Sequence, residues 1–166
     1  MKNNTTDEIV NFINSVGINV VFETINKDTF LPGITIRHGH LIVDMDKLNY
    51  PGDLLHETGH VAVTSAGKRS TLNDNVDTLA ADGGNEMAAI AWSYAACKHV
   101  GIDPSIVFHE NGYKGSSKSF IDNFNQGRYF GVPLLQCYGM TYEPNKAAEI
   151  NIEPYPAMIN WLSQWQ

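Results

Sequence analysis

Apolar residues recur at helical spacing in Ile9, Phe12, Ile13 and Val16, and Thr5 followed by Glu8 has the spacing of a capping box. The chain is therefore expected to open on a short helix that Gly17 ends. The pattern then changes to short runs rich in β-branched residues. Ile18 to Glu23 suits one strand, with Asn26-Lys27-Asp28 as its exit. Beyond Pro32-Gly33, Ile34 to Arg37 and His40 to Val43 flank His38-Gly39, which predicts a hairpin closed by a two-residue turn. Helical spacing resumes at Leu54 and Leu55 and continues through Val61, Ala62 and Val63. With Pro51 in the first turn, this helix is expected from near Tyr50 to about Ala66, with Gly67 as its stop.

From Lys68 to Asn85 the chain is polar, and a connection of this length reads either as a rim or lid over a site or as an inert insertion. A helix from Asn85 to about Val100 follows, with Lys98 and His99 in its last turn and Gly101 after it. Asp103-Pro104 predicts a short helix through Phe108, Asn111-Gly112 a turn, and Ser117 to Asn125 a helix stopped by Gly127. Met158, Trp161, Leu162 and Trp165 follow the helical period and predict a docked terminal helix. A few short strands followed mostly by helices predict an α+β fold, and 166 residues suit a single domain across 1–166.

Charge narrows the partners. There are 18 acidic residues against 11 Lys and Arg, and no basic run that could follow a phosphate backbone, so no nucleic-acid partner is expected. Met1 to Asp7 is polar, without the apolar core of a leader, and no stretch approaches the ~20 apolar residues of a membrane span. A cytoplasmic protein without a membrane partner is the expectation. Cys97 and Cys137 are too few for a disulfide framework and suit two thiols in a reducing compartment, with one bridge between them as the alternative.

The densest chemistry lies in His56-Glu57-Thr58-Gly59-His60, an HExxH pattern. Residues four apart on a helix lie on one face, so the imidazoles of His56 and His60 can converge on one cation with Glu57 beside them. Zinc takes neutral imidazole nitrogen readily, and a catalytic zinc commonly has three protein ligands and an open position for water. Glu57 is then the base for that water. The apolar flanks place the motif on a largely buried helix rather than a solvated face where the spacing would be accidental. Gly59 costs roughly 1 kcal/mol in a helix relative to Ala, which suggests close approach by another segment. For the third ligand Glu86 is the leading candidate, since it heads a stripe continued by Ile90, Tyr94 and Cys97; the helix dipole alone would also favour a glutamate there. His99, His109, Asp82 and Glu110 are the alternatives. His38 and His40 are less suited, because the turn between them breaks the strand that would aim both rings one way.

The hairpin, the HETGH helix and the later Glu86-Met87-Ala88-Ala89 helix resemble the compact metallopeptidase domain of the ImmA/IrrE type, a small gluzincin, over roughly Ile18 to Val100. The resemblance implies a zincin-like domain with a small antiparallel or mixed sheet. The expected activity is zinc-dependent hydrolysis of a peptide or protein substrate, with His56, His60 and Glu86 holding Zn2+ and Glu57 taking the proton of the attacking water. Tyr94, Tyr129, Tyr138, His99 and His109 are all candidates to stabilise the oxyanion. A strand-like substrate would be expected to pair with Leu41 to Met45 as a free sheet edge. The alternative is a catalytically quiet metal-binding module with a regulatory or binding role; an effector aimed at a single regulatory protein is a third possibility.

Overall fold

The computed structural model of the chain describes residues 4–73 and 83–166. Helix α1 (Asn4–Ser15) buries Ile9, Val10, Phe12 and Ile13, and its Glu8 Oε1 accepts from Asn4 Nδ2 at 2.7 Å. Gly17, at φ 93°, turns the chain out of the helix into β1 (Val20–Phe22). Strands β2 (Ile34–Arg37) and β3 (His40–Val43) form the expected hairpin. His38 and Gly39 have φ of 50° and 75°, the two successive positive values that match a tight turn to the twist of its strands.

The sheet order is β1-β3-β2, with β1 parallel and β2 antiparallel to β3. This corrects one expectation. Ile42 faces Val21 on one side and Thr35 on the other, so β3 is the central strand and Leu41 to Met45 offers no free edge for a substrate. The parallel β1–β3 pair is a crossover that hydrophobic alternation in β3 does not reveal.

Helix α2 (Asp53–Val63) carries the HETGH run. It is shorter than expected at both ends. Gly52 precedes it, pressed so close to the Ile106 carbonyl that no side chain would fit. At the other end Thr64 is extended, and the chain re-enters a helix only at α3 (Ala66–Arg69), so Gly67 lies inside a helix instead of ending one. The break has a cause far along the chain. In a continuous helix the Ala66 amide would bond the Ala62 carbonyl. Instead Ala62 O accepts from Ser163 N at 2.8 Å, and Ala66 N donates to Trp165 O at 3.1 Å.

The same pairing overturns the expected terminal helix. Segment 158–165 is irregular: Ile159 N and Asn160 N bond Met140 O, and Gln164 N bonds Tyr138 O. Of its four periodic apolar residues, Met158, Trp161 and Leu162 still dock against the core, whereas Trp165 is largely exposed.

Of the expected polar loop from Lys68 to Asn85, Lys68 and Arg69 belong to α3, Asn73 bridges Arg37, and residues 74–82 lie outside the described residues. Helix α4 (Gly83–Val100) follows. From Ala88 to Cys97 every residue is buried, the mark of a helix surrounded on all sides by its own domain. It crosses α2 closely, and Ser93 Oγ donates to Leu55 O of that helix at 3.3 Å. The helix expected from Asp103-Pro104 is one turn, Pro104–Ile106, capped by Asp103, whose Oδ1 accepts from Ser105 N at 2.8 Å. A 3-10 turn at Tyr113–Gly115 and helices α5 (Ser117–Asn125), α6 (Val132–Cys137) and α7 (Pro144–Ile150) complete the described elements. Among the described residues, seven α-helices and a three-stranded mixed sheet make an α+β fold. Both cysteines are free, Cys97 buried and Cys137 exposed. Among the described residues no helix is long and apolar enough to cross a membrane.

Candidate functional site

The HExxH turn lies on the face of α2 that meets α4, and this crossing brings Glu86 to the two histidines. His56 Nε2 and His60 Nε2 are 3.2 Å apart. Glu86 Oε1 lies 3.6 Å from His56 Nε2, and Glu86 Oε2 lies 3.0 Å from His60 Nε2. Among the described residues, this is the group of three His, Cys, Asp or Glu side chains whose ligand atoms converge, all within 4.8 Å. His99, His109, Glu110, His38 and His40 do not join it, and Asp82 lies outside the described residues.

The convergence fits a small cation. Zinc held at about 2.0–2.1 Å in a tetrahedron keeps neighbouring ligand atoms about 3.3 Å apart, close to the separations here. Two imidazole nitrogens and one carboxylate form a donor set that would suit zinc. The protonation of the metal-free site follows the same logic. Burial, then the neighbouring His60, pushes His56 down to about 4. Burial also disfavours charge on His60, but its hydrogen bond to Glu86 and the charges of Glu57 and Glu86 outweigh burial and raise its pKa. Burial would raise Glu86, yet the bond from His60 and the charges of His56 and His60 bring it down. The raised His60 and the lowered Glu86 both favour the charged forms across this contact.

The three residues line a cavity of about 690 Å³ together with Glu57. Glu57 is 7% exposed, one position along the helix from His56. Phe30, Leu31 and Pro32 from the approach to β2, Ile90 from α4, and Phe120 from α5 give the cavity apolar walls. One turn before the motif, Asp53 Oδ1 lies 2.9 Å from His109 Nε2, and the His109 ring stacks on Tyr50 with centroids 3.9 Å apart. Burial raises the Asp53 pKa, and the bond to His109 opposes the rise.

Of the proposed oxyanion donors, only His109 lines this cavity. Tyr94 donates to Asn125 Oδ1 at 3.0 Å, Tyr129 packs edge-on against Tyr155, Tyr138 donates to Asn85 Oδ1 at 3.5 Å, and His99 packs between Phe12 and Trp161. The residue absent from the expected set is Tyr113, whose hydroxyl lies 2.9 Å from His56 Nδ1. Burial, then the carboxylates of Glu86 and Asp53, push its phenol well above 10, so it is neutral. Its sequence signal is slight: Asn111-Gly112 marks a turn, and nothing local says that the next side chain reaches back to α2.

No protein-family model, curated protein or solved structure matches the chain.

Proposed function

We propose that the chain is a zinc-dependent peptidase, a zincin-like domain that hydrolyses peptide bonds in the cytoplasm. The observation carrying this reading is the convergence of His56 Nε2, His60 Nε2 and the Glu86 carboxylate within 3.0–3.6 Å, at the wall of a cavity that Glu57 also lines. A zinc ion held by these three residues supplies Lewis acidity, lowering the pKa of water and polarising a carbonyl group. Glu57 does the proton work. It takes a proton as water adds to the scissile carbonyl and returns it to the nitrogen as the C–N bond breaks, so that one carboxylate acts first as base and then as acid. A site that only holds a metal has no use for a carboxylate at that place, which favours the catalytic reading over a quiet binding module. The two free thiols suit a reducing compartment.

The test combines metal content with hydrolysis of a peptide library. One zinc per chain is expected, lost in His56→Ala and His60→Ala and reduced in Glu86→Gln. Full zinc occupancy after Glu86→Gln would remove the third ligand. Glu57→Gln keeps the shape and removes the proton acceptor, so zinc is retained while hydrolysis falls at least roughly 100-fold. Unchanged hydrolysis in that variant would sink the mechanism.

A further inference from the structure

The geometry points to Tyr113 as the positioning residue of the metal centre, a phenol that holds His56 in the tautomer and orientation a metal ligand needs. This rests on the metal reading above and adds a residue that the HExxH pattern does not contain.

Three observations converge on it. The first is the division of labour on His56. Its Nε2 faces His60 and Glu86, so metal ligation has to use that nitrogen and leave the ring proton on Nδ1. Nδ1 meets the Tyr113 hydroxyl at 2.9 Å, and a protonated Nδ1 donates to the phenol oxygen. A histidine ligand generally needs such an outer partner to fix its tautomer and its plane. The two histidines differ here. His60 Nδ1 is buried without a partner among the described residues, so the outer contact Tyr113 makes is to His56 alone.

The second observation is how firmly the phenol is held. Its ring stands edge-on to His56 with centroids 5.2 Å apart and at 89°. Phe120 meets it edge-on at 5.4 Å, and Phe108 at 5.3 Å with a tilt of 47°. Aromatic neighbours on several sides leave the hydroxyl little room to swing away from His56. A group held in this way orders its partner without losing much freedom of its own.

The third is the backbone. Tyr113, Lys114 and Gly115 have φ of 54°, 51° and 84°, a run of three left-handed residues of which two carry side chains. Such conformations are unfavourable for residues other than glycine and persist where surrounding contacts over-determine them, most often at functional sites. Here the run turns the Tyr113 side chain inward, towards α2. Its hydroxyl makes this contact with His56. A tyrosine needed for packing alone would have no use for an oxygen at that place.

Tyr113→Phe removes the oxygen and keeps the ring. Zinc affinity, measured by competition with a chromogenic chelator, is expected to fall about 10- to 100-fold. The unfolding midpoint of the metal-free variant should stay near wild type. The visible spectrum of the cobalt-substituted protein should change as His56 loses its fixed orientation. Unchanged affinity and spectrum in a folded Tyr113→Phe protein would overturn the proposal, since the retained ring would then account for everything the tyrosine does. If the variant fails to fold, nitrogen-15 spectra of the zinc-loaded wild type decide. A proton on His56 Nδ1, slow to exchange and close to the Tyr113 ring, is expected, and its absence would overturn the role. The underlying metal reading fails separately. Wild type that takes up no zinc, or keeps it after His56→Ala, removes both readings, whereas His56-dependent zinc with unaltered affinity in Tyr113→Phe removes this one alone.

Discussion

Gly59 lies against the backbone of Ala89, so close that a Cβ built on the glycine would stand 2.9 Å from the Ala89 carbonyl oxygen. Helix α2 thus gives up intrinsic stability in the middle of its motif to let α4 approach, and that approach brings Glu86 to His56 and His60. Gly59→Ala gains about 1 kcal/mol of helix propensity. It also forces apart two backbones that have no flexible end to move, and overpacking of this kind costs about 1–3 kcal/mol. A net loss of stability is expected in urea unfolding, with weakened zinc binding because Glu86 rides on the displaced helix. A Gly59→Ala protein as stable as wild type, with unaltered zinc affinity, would show that the contact is slack.

The metal-free protein should lose stability on the acid side through His56. Its pKa falls from 6.5 in the unfolded chain to about 4 in the fold, because burial and then His60 disfavour the charge. Between those values the unfolded chain binds a proton that the folded one refuses, so stability drops as pH falls from 6.5 towards 4, by about 3 kcal/mol for a shift of this size. His60 acts in a different window. Its pKa is raised, so its contribution is complete below 6.5 and is lost as pH rises through the folded value. Glu86, lowered from 4.5, adds its loss only below that value. Comparing urea midpoints of wild type and His56→Gln from pH 4 to 7 isolates the histidine. Parallel profiles would show that His56 is not the source of the acid limb.

What the sequence makes legible here is local. The first helix, the His38-Gly39 hairpin, the motif and its close-packed glycine can each be read from neighbours within a few positions, because turn chemistry and helical spacing are short-range effects; the expected Thr5 cap is the exception, since the helix already begins at Asn4. Glu86 is legible for a similar reason, since its stripe continues through Ile90 and Tyr94 into the core. The errors share a long-range cause. Ser163 and Trp165 take the backbone bonds that would have carried α2 through Ala66, which both shortens that helix and leaves the C-terminal segment irregular. Nothing near either segment announces the pairing. The central place of β3 and the reach of Tyr113 to His56 are likewise tertiary, and a hydrophobic pattern records that a residue is buried without saying beside what.

The C-terminal segment should separate its two tryptophans sharply. Trp161 meets Phe12 edge-on at 4.8 Å and Trp92 at 5.5 Å, and its carbonyl accepts from Trp92 Nε1 at 3.0 Å. Trp165 is 61% exposed and, among the described residues, stacks on Tyr138 alone, with centroids 5.6 Å apart. Its tie to Ala66 runs through the backbone and survives a change of side chain. Trp161→Ala is expected to cost about 2–3 kcal/mol, somewhat below the cost at a fully buried aromatic position. Trp165→Ala should cost under about 1 kcal/mol. Chemical denaturation of the two variants side by side checks the ordering, and equal losses would contradict it.

If the chain cleaves peptides as proposed, its substrate preference should follow the cavity walls. Phe30, Leu31, Pro32, Ile90 and Phe120 surround the space beside the His56, His60 and Glu86 cluster, so a peptide with a bulky apolar side chain next to the cleaved bond can bury that side chain there. Most of these residues also support the fold, which makes their variants hard to interpret. Phe30 is the exception, because it is 77% exposed in the free protein and belongs to no helix or strand. Phe30→Ala should therefore leave the unfolding midpoint and zinc content unchanged. It should raise KM for peptides with Leu or Phe beside the scissile bond by about tenfold, the scale set by losing one good apolar contact. Peptides with Gly or Ser at that place should be cleaved poorly by both proteins and show little difference between them. A Phe30→Ala enzyme with unaltered KM on the apolar peptides would mean that this wall does not touch the substrate.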